Sequence, residues 1–147
     1  MPAARIVSAV TTDRAPRAFL ILGVIALLEG LALLGYAVYD TIQALRIGAT
    51  GPTDVSNPSA IVIQIVIFAI FGIGLLLVAR GWFTGRRWPR APFILAQLIA
   101  LVVGSPLISA QGDVDRVVGF LTVGIAVAGI IVIFTPTVIR EFSNPRN

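Results

Sequence analysis

A chain of 147 residues that is 57% hydrophobic and only 12% charged falls well short of the roughly 25% charge of a soluble domain. Its mean hydropathy of +0.97 requires apolar surface to face lipid, so composition alone predicts a membrane protein. The absence of Cys and His excludes disulfides, thiol nucleophiles, imidazole bases and the usual zinc ligands. The net charge of +4, carried by arginines in the flanks of apolar runs, reads as membrane topology and not as nucleic-acid binding.

Four runs approach the length of about 20 apolar residues that a spanning helix needs. They cover about 18–39, 60–79, 93–110 and 117–135. Many of their residues are β-branched, but open strands cannot cross lipid with unpaired backbone, so helices are expected. The first run is longer than a signal-peptide core of about 7–15 residues, and it reads as a mature helix. The expected fold is all-α, a four-transmembrane-helix bundle, with residues 1–147 forming a single integral membrane domain.

The first run contains "ALLEGLALL", residues 26–34, with Glu29 at its centre. Glu29 lies roughly 15 Å from either end of the run at about 1.5 Å per residue. An ionisable group at that depth costs about 2.5 kcal/mol or more to insert and should face protein. On a helical wheel Tyr36 and Asp40 fall close to Glu29, and Gln43 continues the stripe. Beside them runs a seam of small residues, Gly23, Ala26, Gly30 and Ala37, of the kind that lets helices approach closely. Candidate partners lie elsewhere: Gln64 on the second run, Gln97 with Gly104 and Gln111 on the third, and Asp115, Thr122, Ala126 and Gly129 on the fourth. Two readings of Glu29 stand side by side. It is a neutral carboxyl that glues helices together, or it is a proton or cation site at the end of a polar crevice.

The linkers differ in character. Residues 40–59 include the turn-rich "GATGPTDVSNP", whose Asn57-Pro58-Ser59 fails the glycosylation pattern because Pro holds the middle position. Residues 80–92, "RGWFTGRRWPRAP", carry Arg80, Arg86, Arg87 and Arg90 with Trp82 and Trp88. That stretch reads as an orientation signal with two interfacial tryptophan anchors. A further reading is a patch for anionic lipid headgroups or an acidic partner, although the positive-inside rule already predicts the arginines. Pro106 in the third run is expected to kink its helix. Tyr36 and Tyr39 fit an interfacial aromatic belt.

Orientation follows from the arginines. Arg5, Arg14, Arg17, Arg80, Arg86, Arg87, Arg90, Arg140 and Arg146 fall on one side of the four spans, and Arg46 and Arg116 on the other. Nine against two places both termini and the 80–92 loop in the cytoplasm. The implied location is a bacterial plasma membrane, crossed several times.

The segment "GRRWPRAPFILAQLIALVVGSPL", together with a glutamate-bearing first helix, resembles a group of small uncharacterised actinobacterial four-helix integral membrane proteins. The matching positions are Arg86, Arg87, Trp88, Arg90, Pro92 and Gln97. The resemblance implies a fold and a location but no activity. In architecture the chain is also similar to small multidrug resistance transporters, in which a first-helix glutamate binds protons and cationic drugs; Glu29 would take that role. It departs from them in its long first outer loop, its strong charge bias and the lack of their glycine-rich third-helix motif.

These readings converge on a non-enzymatic accessory or structural membrane protein. Its expected partners are the lipid bilayer, anionic lipids at the 80–92 loop, and a second copy or a larger membrane complex. No nucleic acid, cofactor or metal is expected. The alternative is a small proton-coupled transporter or channel subunit using Glu29. No motif in the runs pairs a nucleophile with a base, so an enzyme is not expected.

Overall fold

Hydrocarbon offers the backbone no hydrogen-bond partner, so each apolar run closes its bonds within itself as a helix. A computed structural model describes residues 17–47, 58–109, 111–136 and 138–139. Arg5, Arg14, Arg140 and Arg146, the stretch 48–57 and Ala110 lie outside the described residues. Four helices form: α1 (Arg17–Ile47), α2 (Pro58–Phe83), α3 (Arg90–Ile108) and α4 (Asp113–Ile133). Each is long and apolar enough to cross a membrane, and no strand occurs among the described residues.

The helices do not stop where the apolar runs stop. α1 continues past Tyr39 to Ile47, because polar residues sustain a helix as well as apolar ones once it is nucleated. Its polar extension is laced from within: Thr41 Oγ1 donates to Ala37 O at 2.7 Å, and Gln43 Nε2 to the Tyr39 hydroxyl at 3.0 Å. α2 opens on Pro58, whose missing N–H is no loss at a first helical position. Asp113 and Asp115 fill the first turn of α4, where carboxylates complement the positive end of the helix dipole.

The segment expected as an 80–92 loop is a much shorter turn, residues 84–89, because α2 runs through Phe83 and α3 begins at Arg90. Gly85 makes the turn. Its φ of 66° is left-handed. The Gly85 N–H donates to Trp82 O at 3.0 Å and the Arg86 N–H to Gly81 O at 2.9 Å, the paired bonds of a Schellman cap.

α1 packs against α2, and α3 against α4, more extensively than across these pairs. Both pairs are antiparallel hairpins. Along the first, Gly23 meets Phe83, Gly30 meets Gly72, and Asp40 meets Gln64. Along the second, Gly104 meets Thr122, and Gly119 meets Leu107 and Ile108. The closest approach in the first hairpin is at Gly30 and Gly72. A Cβ on either would stand 3.0 Å from the other's carbonyl oxygen, so the two backbones touch only because both side chains are absent. Gly23, Ala26, Gly30 and Ala37 are all buried.

The hairpins join in a core at the end of the bundle that carries Arg17, Arg80 and Arg86. Phe19 and Leu22 of α1, Val78 and Trp82 of α2, Phe93 of α3 and Ile133 of α4 share it with Val138. Trp82 is its centre, and this corrects the interfacial role expected for that residue. It is 0% exposed. It meets Phe19 edge-on at 5.1 Å and Phe93 edge-on at 5.9 Å between ring centroids. The reason is helical period: Trp82 stands three, four and seven residues after Ala79, Val78 and Leu75, the buried face of α2. Trp88 is 49% exposed.

Pro106 leaves only Leu107 and Ile108 beyond it in α3, so the backbone that it perturbs lies in the last two turns. Its missing N–H leaves Val102 O without a helical donor. The Ser105 hydroxyl lies 3.4 Å from that oxygen and donates to it.

Replacing Trp82 with Leu should lower stability by about 3 kcal/mol, the low end for removing a large buried aromatic, since lipid already solvates the ring in the separated helices. Gly85→Ala should cost about 1 kcal/mol through its left-handed φ. Thermal unfolding in mild detergent reads both.

Candidate functional site

Glu29 is where a polar group meets the middle of the bundle. It sits one residue before Gly30, on the flank of the α1 face that packs on α2, so its side chain can reach past α2 toward the second hairpin. The partner it finds is Gln97, two turns into α3. Gln97 Nε2 donates to Glu29 Oε2 at 2.8 Å. This bond crosses between the two hairpins.

Gln97 is 0% exposed, the one buried polar residue among the described residues. Gly129 of α4 makes room for it. A Cβ there would stand 3.3 Å from both Gln97 Cδ and Oε1, and 3.1 Å from Phe93 Cζ. The amide is thus walled by α4 and Phe93, and its NH2 group reaches Glu29. Its oxygen, Oε1, is buried and accepts no hydrogen bond. A carboxylate has no proton to give that oxygen, whereas a carboxylic acid has one.

Glu29 is only partly buried. Its carboxyl therefore has a protein side, held by Gln97, and an open side. Of the other residues on its predicted stripe, neither Tyr36 nor Asp40 joins the pair. Tyr36 is 50% exposed and stacks edge-on against Phe68 of α2 at 5.3 Å, with Tyr39 tilted beside it at 6.3 Å. Asp40 accepts from Gln64 Nε2 of α2 at 2.8 Å. The stripe thus divides: its middle bonds to the second hairpin, and its outer part to α2. Gln111 and Asp115 are exposed, while Thr122 meets Gly104 and Gly129 meets Gln97 across the α3–α4 hairpin, and Ala126 is buried.

The basic residues gather elsewhere. Arg80 lies in the last turn of α2, Arg86 and Arg87 lie in the turn that follows, and Arg90 begins α3. Arg80, Arg86 and Arg87 are exposed. The described carboxylates, Glu29, Asp40, Asp113 and Asp115, stand at mid-span or at the opposite end.

The pair can be weighed by a mutational cycle. Glu29→Leu leaves both polar atoms of the Gln97 amide buried without partners, and Gln97→Leu strips Glu29 of its donor. Each should destabilise by about 1–2 kcal/mol. The double variant should be more stable than either single one, because it buries no orphan. Unfolding of the four proteins in one detergent gives the coupling. No protein-family model, curated protein or solved structure matches this chain.

Proposed function

We propose that this chain is a non-enzymatic integral membrane protein, an accessory or structural component that packs with a second copy of itself or within a larger membrane complex. The observation that carries the reading is the Glu29–Gln97 bond. The mid-span ionisable group is bound to a fully buried amide on the other hairpin, so it acts as a clasp between hairpins. A polar pair of this kind is a recognised adhesive between helices in lipid. Two sequence facts agree with a non-enzymatic role: the chain has no His and no Cys.

Packing against another helix draws support from the outer faces. Among the described residues, nothing beyond the local helix backbone stands within 4 Å of where a Cβ would lie at Gly35, Gly74 or Gly124. Small residues on an open helix face admit close approach by another helix. The nine-to-two division of arginines puts both termini and the 84–89 turn on the cytoplasmic side of a bacterial plasma membrane. The likeness of the "RRWPRAP" turn to actinobacterial four-helix proteins points to the same kind of source.

A second reading has one observation in its favour. Because Glu29 is only partly buried, its carboxyl is not sealed inside the bundle, and a water path reaching its open side would let it exchange a proton. In that case the chain is a small proton-coupled transporter or channel subunit, and Glu29 is its carrier.

Extraction of the native protein in mild detergent separates a lone chain from an assembly. Co-purification of a second copy or a larger complex is expected, and a lone monomer overturns the accessory reading. For the transporter reading, Glu29→Gln keeps a hydrogen-bonding side chain and removes titration. Loss of pH-driven flux in liposomes with the fold intact would support proton carriage, and unchanged flux would sink it.

A further inference from the structure

The turn between α2 and α3 folds back onto the helix it leaves. A Cβ on Gly81 would collide with the Pro89 ring and would stand 3.1 Å from two ring atoms of Trp88. The absence of that Cβ lets residues 88–89 lie against the end of α2. The fold-back creates a groove of about 240 Å³ lined by Leu77, Arg80, Gly81, Thr84, Arg86 and Trp88. We propose that this groove binds the phosphate headgroup of an anionic phospholipid, with Arg80 and Arg86 as the cationic contacts.

The lining is graded in the way a lipid is graded. Leu77, 53% exposed, lies one turn before Arg80 and Gly81 on the apolar length of α2, level with acyl chains. Arg80 and Arg86 stand where that apolar length ends, level with headgroups. Trp88, half exposed at the rim, is the residue type that sits at this boundary with an apolar body and a polar N–H. Guanidinium groups match phosphate oxygens in geometry as well as charge.

Two further observations favour an anion here. Every described carboxylate lies at mid-span or at the opposite end of the bundle, so among the described residues none neutralises Arg80 or Arg86. In addition, the carbonyls of a helix C-terminus ordinarily repel anions, and here they are engaged. Arg80 O accepts from the Thr84 N–H at 3.0 Å and the Thr84 hydroxyl at 2.9 Å. Gly81 O and Trp82 O accept from the Arg86 and Gly85 N–H groups. The positive-inside rule accounts for arginines at this end. It does not require two of them to share a groove with an apolar floor and a tryptophan rim. The site stands whether or not the chain has a protein partner.

The test is lipid binding to the full-length protein in detergent, followed by native mass spectrometry. The probes are phosphatidylglycerol, phosphatidylcholine and inorganic phosphate. Phosphatidylglycerol should be retained in preference to phosphatidylcholine, and inorganic phosphate at the same concentration should not displace it. Arg80→Gln and Arg86→Gln should each weaken retention roughly fivefold, and Lys at either position should restore part of it. Arg17→Gln removes the same charge from the same end outside the groove and should change retention less than about twofold. All three arginines are exposed or flank the core, and unchanged thermal unfolding would confirm that the variants are folded. Equal losses from Arg17→Gln and Arg80→Gln would mean diffuse charge attraction and overturn the site. Equal retention of phosphatidylcholine would overturn its selectivity for anions. Displacement by inorganic phosphate would make a soluble anion the ligand in place of a lipid.

Discussion

Hydrocarbon supplies no hydrogen-bond partner, so a polar side chain that enters it must find one on the protein. In this chain that constraint falls on Glu29, and Gln97 answers it. The consequence reaches beyond the two residues. α1 and α2 close on each other through Gly30 and Gly72, and α3 and α4 through Gly104, Gly119 and Gly129. Either hairpin can satisfy its own packing. The bond from Glu29 to the other hairpin helps fix how the two are turned and how deep each sits, because a hydrogen bond has a direction.

A second connection works by shape. The edge-on contacts of Trp82 with Phe19 and Phe93 tie α1, α2 and α3 together at the arginine end. In water such a cluster would be driven by the hydrophobic effect. In lipid that force is absent between helices, and the gain comes from close packing and aromatic geometry. The two connections are complementary: the aromatic cluster resists separation near one end, and the polar bond sets register nearer the middle. Beyond Glu29 the polar contacts of α1 turn back to its own hairpin, through Asp40 and Gln64.

Much of this was legible in the sequence, and what was not has identifiable causes. The four helices follow from hydropathy, since nothing else satisfies the backbone in lipid. Their ends do not, because hydropathy reports where lipid is and not where hydrogen bonding stops; the polar residues from Asp40 to Arg46 therefore looked like loop. The burial of Trp82 is hidden in the sequence for a related reason. Two residues after Arg80 and in the segment "RGWFTGRRWPRAP", Trp82 resembles an interfacial anchor. Once α2 is known to continue through Phe83, the spacing from Leu75, Val78 and Ala79 carries Trp82 inward. The wheel turned Glu29 toward protein and put Gln97 among several partners. Choosing between Gln97, Gln64 and Thr122 needed the order in which helices pack, and no local pattern encodes that order. The same gap explains Asp40, which shares a stripe with Glu29 yet bonds to a different helix.

The arginine end shows how packing and charge constrain each other. Only residues 84–89 separate two spanning helices, so α2 and α3 must leave and enter the bundle side by side. That closeness needs a left-handed residue at 85 and no side chain at 81, and the core of the bundle at this end holds Trp82 and Phe93. Every charged side chain in so short a turn is then forced outward, since the interior is already occupied by rings. The arginines are therefore concentrated by the same geometry that buries the tryptophan. A looser linker with the same number of arginines would carry the same topological signal but would spread its charge over a wider arc. Compactness at this end converts a sequence-level address into a local surface with a floor, a rim and two neighbouring cations.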